Sequence, residues 1–531
     1  MLDILFRGVS LVDGTGAPAR TRDVGVKNGK ITLHTQGESA RETVEGGGLT
    51  LCPGFIDAHS HGDMSVGTPH GNLCKISQGV TTEIAGQCGQ SPFPVDRRFL
   101  EDLKCVTAFA PDYQKMPFER FARCRDYEGY CRTVPMALNL AELVGHNTLR
   151  ASVMGVADRA PTGAELALMK DRLRAGMEQG ALGLSSGLIY IPGVYCTTEE
   201  VIELCRVIRP YGGIYATHMR NEAADVVKSV KEAIFIAESA GVPLVISHHK
   251  VCGRDNWGAS WETLRLIDEA AARGVRIGLD QYPYEANMTA LNVCIPPRHF
   301  AQGMPALLEK LRDPAGRAQI AAEMNDPAGG YDNFYRNSGG FSGVFVSVSP
   351  AVPEAEGRTV ADYAAAVGKD PMDAYFDLLL ANGGDGNAIY FAMDPREVER
   401  IYQYPRTMVG SDALCFGLEE KGHPRGWGTF IRPLAEFAGE KKLVSFEEAV
   451  YKQTGLTAAF WGLEGKGRVA EGYDADLVLL DRGTLRAAAT YAHSNQKAEG
   501  VCAVYVAGKC VYRAGALTGE YPGKLILRQG T

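Results

Sequence analysis

The chain has 531 residues and a formal net charge of -8, with 22% charged and 45% aliphatic or aromatic residues. This is ordinary globular composition, long enough for more than one domain. The acidic balance argues against nucleic acid as a main partner, which calls for a basic surface, and no apolar run reaches the roughly 18 residues that span a bilayer.

The 13 cysteines are odd in number and form no C-x-x-C pair, so reduced thiols are expected rather than a disulfide framework. The amino terminus, MLDILFRGVSLVDGTG, lacks the apolar core of a signal peptide, and the expected location is the cytoplasm.

Residues 1–52 alternate short β-rich runs with turn signals such as Asp13-Gly14 and Asn28-Gly29, which read as hairpins. Residues 465–531 do the same, with strands over 475–480 and 501–506. Two β-rich ends predict one small β-sandwich domain built from both termini, the alternative being two unrelated appendages. Between them, eight candidate strands fall at 54–59, 80–85, 134–140, 181–185, 213–217, 243–247, 275–280 and 407–410. Helical patterns at 162–179, 222–239 and 260–273 separate them, the first opened by the capping box Thr162-Gly163-Ala164-Glu165. Alternating strands and helices predict an α/β fold, a (β/α)8 TIM-like barrel, with a doubly wound open sheet as the alternative. The barrel is expected over 53–282 and 406–464. Residues 283–405, helical near 305–324 and 359–380, are too long for a loop and read as an inserted lid between strands 7 and 8.

The chemistry-bearing residues sit at the carboxyl ends of these strands. Pro53-Gly54-Phe55-Ile56-Asp57-Ala58-His59-Ser60-His61 ends the first in two histidines spaced to share one side of an extended chain. Cys88 follows the second strand, His218 ends the fifth, His248-His249 the sixth and Asp412 the eighth. Singly, each has a bland reading as a packed or hydrogen-bonded side chain. Together, in a barrel, they converge on the face where active sites are found.

These motifs resemble the amidohydrolase superfamily, and within it the N-acyl-D-amino-acid deacylases. The resemblance covers nearly the whole chain: Pro-Gly-Phe-Ile-Asp-x-His-x-His, the Gln-Cys-Gly turn, Thr-His-Met-Arg-Asn-Glu, Ile-Ser-His-His-Lys, Asp-x-Tyr-Pro-Tyr, Gly-Ser-Asp, His-Pro-Arg with Trp-Gly-Thr-Phe, and Ala-Asp-Leu-Val. It implies the barrel with a β-sandwich and a lid, and zinc in one tight site, with or without a second, weaker one. Cys88, His218 and His248 match the tight site, and His59, His61, shared Cys88 and Asp412 the second. Asp412 is expected as metal ligand, as general base, or as both. Tyr190 is a candidate donor to the developing oxyanion, against a packing role. Lys250, Tyr282 and Arg425 match positions that hold the substrate carboxylate. Arg298, after the seventh strand, would read the substrate side chain or pair within the lid.

The function implied is zinc-dependent hydrolysis of N-acyl-D-amino acids to a carboxylate and a free D-amino acid. The partner is thus a small molecule, neither nucleic acid nor membrane. Rival readings are a dipeptidase acting on a C-terminal D-residue and a cyclic-amide hydrolase, whose usual metal-bridging lysine is replaced here by Cys88. A non-catalytic assembly protein is disfavoured by the complete set of candidate donors.

Overall fold

The computed structural model describes residues 1–107, 110 and 112–528. At its centre are eight strands: β1 (Phe55–Asp57), β2 (Val80–Ala85), β3 (Asn139–Glu142, resuming at Val144–Gly145), β4 (Gly183–Gly187), β5 (Ile214–His218), β6 (Leu244–Ile246), β7 (Ile277–Gln281) and β8 (Thr407–Val409). Each pairs in parallel with the next. The ring closes where Ala58 N donates to Val409 O at 3.0 Å and Asp412 N to His59 O at 2.8 Å. This is the (β/α)8 barrel rather than an open sheet.

Parallel strands covered on both faces read as continuous apolar runs. Ile56, Ile84, Ala141, Ile214, Val245 and Met408 share one buried cluster with Trp461, whereas Leu140, Leu184, Tyr215, Leu244 and Leu279 join the larger core under the helices. Each such aliphatic burial stabilises by about 1.5–3 kcal/mol. The helix Gly163–Glu178 shows the local logic: Thr162 Oγ1 accepts from Glu165 N at 3.3 Å, Thr162 N donates to Glu165 Oε2 at 2.7 Å, and Met169, Leu173 and Met177 form the buried stripe.

Several boundaries differ from the sequence reading. The third strand begins at Asn139, not 134, because the preceding run bonds elsewhere: Ala137 N donates to Asn72 Oδ1 at 2.7 Å and Met136 O accepts from Gly523 N at 2.9 Å. The helix expected from 222 begins at Val226, since Asn221 Oδ1 caps Ala223 N and Asp225 N, both at 2.9 Å. The helical stretch near 359–380 is two helices, Val360–Val367 and Pro371–Ala381, broken at Gly368 (φ 66) and Pro371.

Strands from both ends of the chain share one nine-stranded sheet, joined where Thr50–Pro53 pairs antiparallel with Leu477–Leu480. Phe6 meets Tyr505 edge-on at 5.2 Å between ring centroids, within a core common to both ends. The Asn28-Gly29 turn has φ of 53 and 74, the left-handed pair a tight hairpin needs. The last strand, Leu525–Ile526, leaves this sheet and pairs in parallel with β3. Arg528 N then donates to Gly180 O at 2.9 Å, so residues 525–528 are wedged into the barrel wall.

Between β7 and β8 stands a three-stranded antiparallel sheet, Ala286–Ala290, Asn387–Phe391 and Val344–Val348, with the second strand in the middle. It packs with helices Met304–Arg312, Pro314–Asn325 and Pro371–Ala381 around its own core. The helix Pro395–Gln403 returns to the barrel: its Ile401 lies in the barrel core and its Val398 and Tyr402 beside it.

Candidate active site

β1 ends at Asp57 and the chain turns at once, so strand parity does not place the histidines. Ile56 and Ala58 belong to the inner cluster, yet His59 reaches the same axis because it lies beyond the strand. The rings of His59 and His61 stand 5.6 Å apart and 70° to each other. After β2 the chain makes a cramped turn, with Gly86 at φ 71, Cys88 at φ 53 and Gly89 at φ 77. A Cβ on Gly89 would meet Asn147 Oδ1 at 2.5 Å, so only glycine fits there.

Cys88 Sγ lies 3.3 Å from His59 Nε2, 3.3 Å from His248 Nε2 and 3.8 Å from His218 Nδ1. Asp412 Oδ1 lies 3.5 Å from His59 Nε2 and 3.3 Å from His61 Nε2. Among the described residues the donors form two overlapping groups, His59–Cys88–His248–Asp412 and His218–Glu222–His248, each with its atoms within 4.8 Å of one another. All are buried. A set of thiol, imidazole and carboxylate suits a borderline divalent cation such as zinc.

The backbone carries strain at the same places. Seven non-glycine residues among those described have positive φ, and three of them are Cys88 (53), His248 (36) and Asp412 (49). Such conformations cost about 1–3 kcal/mol each and persist only where surroundings fix them. At His248 the fixing bond is its N–H to Asp280 Oδ1 at 2.8 Å.

Two carboxylates orient the rings, and the sequence reading assigned a role to neither. Asp280 lies 3.2 Å from His59 Nδ1, leaving Nε2 toward the sulfur. Glu222 lies 3.0 Å from His248 Nδ1 and 3.7 Å from His218 Nε2. Lys250 Nζ is 2.7 Å from both His248 Nδ1 and Glu222 Oε1. An ammonium has no acceptor, so if His248 turns Nε2 to a cation its Nδ1–H must go to Glu222, with Lys250 donating to that carboxylate. Both acids stood in quoted motifs, four residues after His218 and at the end of β7, and the position at a strand end was the available signal.

Electrostatics follow from burial. Burial holds His218 and His248 well below the usual imidazole range, so both rings are neutral at pH 7. Burial would raise Asp412, but Arg425 and the surrounding imidazoles of His248, His61 and His59 together outweigh it and hold the carboxyl well below its usual range. Burial, followed by Asp412, pushes the Cys88 thiol well up; a cation among these donors reverses that preference.

Above the donors lies a cavity of ≈ 650 Å³. His61, Cys88, Asp412 and Arg425 form its floor, Ile189 and Tyr190 a wall, and Met288, Ile295, Phe300 and Met304 of the insertion its roof. Tyr190 packs edge-on against His218 at 4.9 Å, and burial pushes its hydroxyl well up, so it stays a neutral donor. Arg425 Nη1 donates to Asp412 Oδ2 at 2.7 Å and its guanidinium lies 4.8 Å from the Tyr282 ring centroid. Tyr282 and Lys250 lie behind this floor, with the Lys250 ammonium 5.6 Å from the same ring, and the buried Tyr282 hydroxyl has no hydrogen-bond partner.

Arg298 is not brought to the cavity. Its side chain is 65% exposed and pairs with Glu323, as does His299; only its neighbours Pro297 and Phe300 reach the lining. Burial would raise Glu323, but Arg298 and His299 together lower it from 4.5 to about 2. The stabilisation is therefore complete above pH 4.5 and is lost as pH falls towards 2. Glu323→Gln is expected to lower stability by about 1 kcal/mol at pH 7, since Arg298 is well solvated. Thermal unfolding of both proteins should differ at pH 7 and coincide near pH 2.

A buried sulfur, imidazole and carboxylate cluster at the carboxyl ends of a (β/α)8 barrel defines the class as metal-dependent barrel enzymes. Residues 42–512 match the Amidohydrolase family, and the chain belongs to it. It is 39% identical to a D-aminoacylase of Alcaligenes xylosoxydans xylosoxydans, over 99% of this chain and 98% of that one. It is 36% identical to the N-acyl-D-aspartate deacylase of the same organism, over 99% and 95%. It superimposes with a TM-score of 0.83, at 34% identity and over 99% and 100% of the two chains, on the N-acyl-D-glutamate deacylase of Bordetella bronchiseptica, solved with zinc and a phosphonate mimic of the tetrahedral intermediate. Among the described residues no helix is long and apolar enough to cross a membrane.

Proposed function

We propose that this protein is a zinc-dependent deacylase that hydrolyses N-acyl-D-amino acids with neutral, apolar side chains, releasing a carboxylate and a free D-amino acid. The observation that carries the reading is the convergence of Cys88, His59, His248 and Asp412 under one cavity. The D configuration rests on the activities of the relatives.

In this reading Cys88, His218 and His248 hold the tight zinc, and His59, His61 and Asp412, with Cys88 shared, a second one. Zinc there supplies Lewis acidity toward an amide carbonyl and lowers the pKa of water. Asp412 takes the proton of the attacking water and later returns it to the leaving amine. Tyr190 donates its hydroxyl to the oxygen on which charge develops. Arg425 binds the α-carboxylate, which competes with Asp412 for the guanidinium, and Tyr282 supports that guanidinium from behind with its ring.

The side-chain preference follows from charge. Each cationic side chain lining the cavity among the described residues is already paired: Lys104 with Glu101, Arg220 with Glu232 and Arg425 with Asp412. With Arg425 given to the α-carboxylate, a second carboxylate would have to draw Arg220 or Lys104 away from its own acid, and Met288, Ile295, Phe300 and Met304 offer it no donor. Burying an unpaired carboxylate there costs about 3 kcal/mol or more. A panel of N-acetyl-D- and L-amino acids tests this. N-acetyl-D-leucine is expected to exceed N-acetyl-D-glutamate and N-acetyl-L-leucine in kcat/KM by at least about a hundredfold. Faster turnover of the D-glutamate or a cyclic amide overturns the reading.

A further inference from the structure

We propose that Lys75 is a positioning residue for this reaction: it sets Asp412 against His59 and His61 by tying the ends of β1 and β8 to one ammonium. Lys75, on the helix Pro69–Ile76, is fully buried. Its Nζ donates to Asp57 Oδ2 at 2.5 Å, Ser60 Oγ at 3.0 Å and Ser411 Oγ at 2.7 Å. An ammonium has three N–H groups, and all three are used.

The partners are the chain neighbours of the proposed ligands. Ser60 sits between His59 and His61, Ser411 precedes Asp412, and Asp57 is two residues before His59. Asp57 binds across the seam as well: its Oδ1 accepts from Ser411 N at 2.8 Å and from His59 N at 3.2 Å, and its Oδ2 from Ser411 Oγ at 2.6 Å. Ser60 Oγ in turn donates to Glu83 Oε2 on β2 at 2.5 Å. Ser411 is thus held by backbone and side chain immediately before the left-handed Asp412 (φ 49). An unrestrained backbone would relax from that conformation.

Stability alone does not call for this arrangement. A buried ion pair is often matched or exceeded in stability by apolar residues of similar volume. What the pair supplies is direction, and displacement by about 1 Å at a reacting group can cost up to a hundredfold in rate.

The inference rests on Asp412 as the base, and two variants of the zinc-loaded enzyme test it. Ser411→Ala removes one strut without unpairing a charge. Lys75→Met combined with Asp57→Asn removes the ammonium and one of the two carboxylates facing it, leaving Glu83, 3.5 Å from Nζ, without its cation. Each is expected to keep zinc at Cys88, His218 and His248 and to show KM for N-acetyl-D-leucine within about twofold of the parent. In each, kcat per bound zinc should fall about tenfold. A crystal structure of the Ser411→Ala variant should show the Asp412 carboxylate shifted relative to His61. A carboxylate in its original place, or kcat unchanged in a folded variant, overturns the proposal. If the double variant does not fold, Ser411→Ala decides. Asp412→Asn separates the two failures: an active Asp412→Asn sinks the base, whereas an inactive Asp412→Asn beside a fully active Ser411→Ala sinks only the positioning role.

Discussion

Cys88→Ala is expected to yield a folded protein that no longer retains zinc through gel filtration and whose turnover falls more than about 100-fold. Loss of a partner that only orients a ligand already costs 10–100-fold, and Cys88 is the atom on which three imidazoles converge, at 3.3, 3.3 and 3.8 Å. The fold should survive. The side chain is 3% exposed and the substitution leaves a small residue in the same turn, whose shape is set by Gly86 and Gly89. Thermal unfolding supplies a second readout. Zinc binds the native state and therefore raises the unfolding temperature, so a chelator should lower it in the parent and leave the variant unchanged. Full zinc content in the variant would remove the sulfur from the metal site.

Asp412→Asn has the second-largest expected effect, on a different quantity. The amide is nearly isosteric and can still accept from Arg425, so zinc at Cys88, His218 and His248 should remain. An amide cannot accept and return a proton, and a positioned general base contributes roughly 10²–10⁴-fold. The loss should therefore fall on kcat, corresponding to about 2.7–5.5 kcal/mol in the barrier. A variant with normal kcat and normal zinc would confine Asp412 to a structural role. Glutamate in its place is a poor control, because one more methylene in a buried, left-handed position moves the carboxylate away from His61.

Much of this was legible in the chain because barrel strands have a plain signature. They are buried on both faces, so short runs rich in β-branched and apolar residues such as Val80–Ala85 and Ile214–His218 stand out between amphipathic helices. The polar residues that end them are conspicuous. The 134–138 stretch misled for the same reason: it is apolar, and Met136, Ala137 and Leu138 are buried, but its hydrogen bonds go to Asn72 and Gly523 rather than to a ladder. His59 and His61 do face one point, but the loop places them there, since the strand stops at Asp57. The family motif matched the first histidine of the His248-His249 pair but could not show the left-handed φ that turns His248 toward Cys88.

Long-range charge pairing was the least legible feature. Nothing local tells Arg298, which pairs with Glu323, from Arg425, which reaches Asp412; only the fold decides which guanidinium faces the cavity. Glu222 and Asp280 stood near strand ends in quoted motifs, but nothing local shows that they orient His248 and His59, which come from other parts of the chain. Lys75 drew no reading from the sequence, because a single lysine gives no hint that the seam between β1 and β8 lies under it.

The central claim is that the barrel gathers sulfur and imidazole from separate strand ends around one zinc. X-ray absorption at the zinc edge of the purified, active enzyme tests it most directly. The expected first shell contains one sulfur at about 2.3 Å, with imidazole nitrogens at about 2.0–2.1 Å, and loses the sulfur signal in Cys88→Ala. A shell of nitrogen and oxygen alone in the active parent protein would contradict the account.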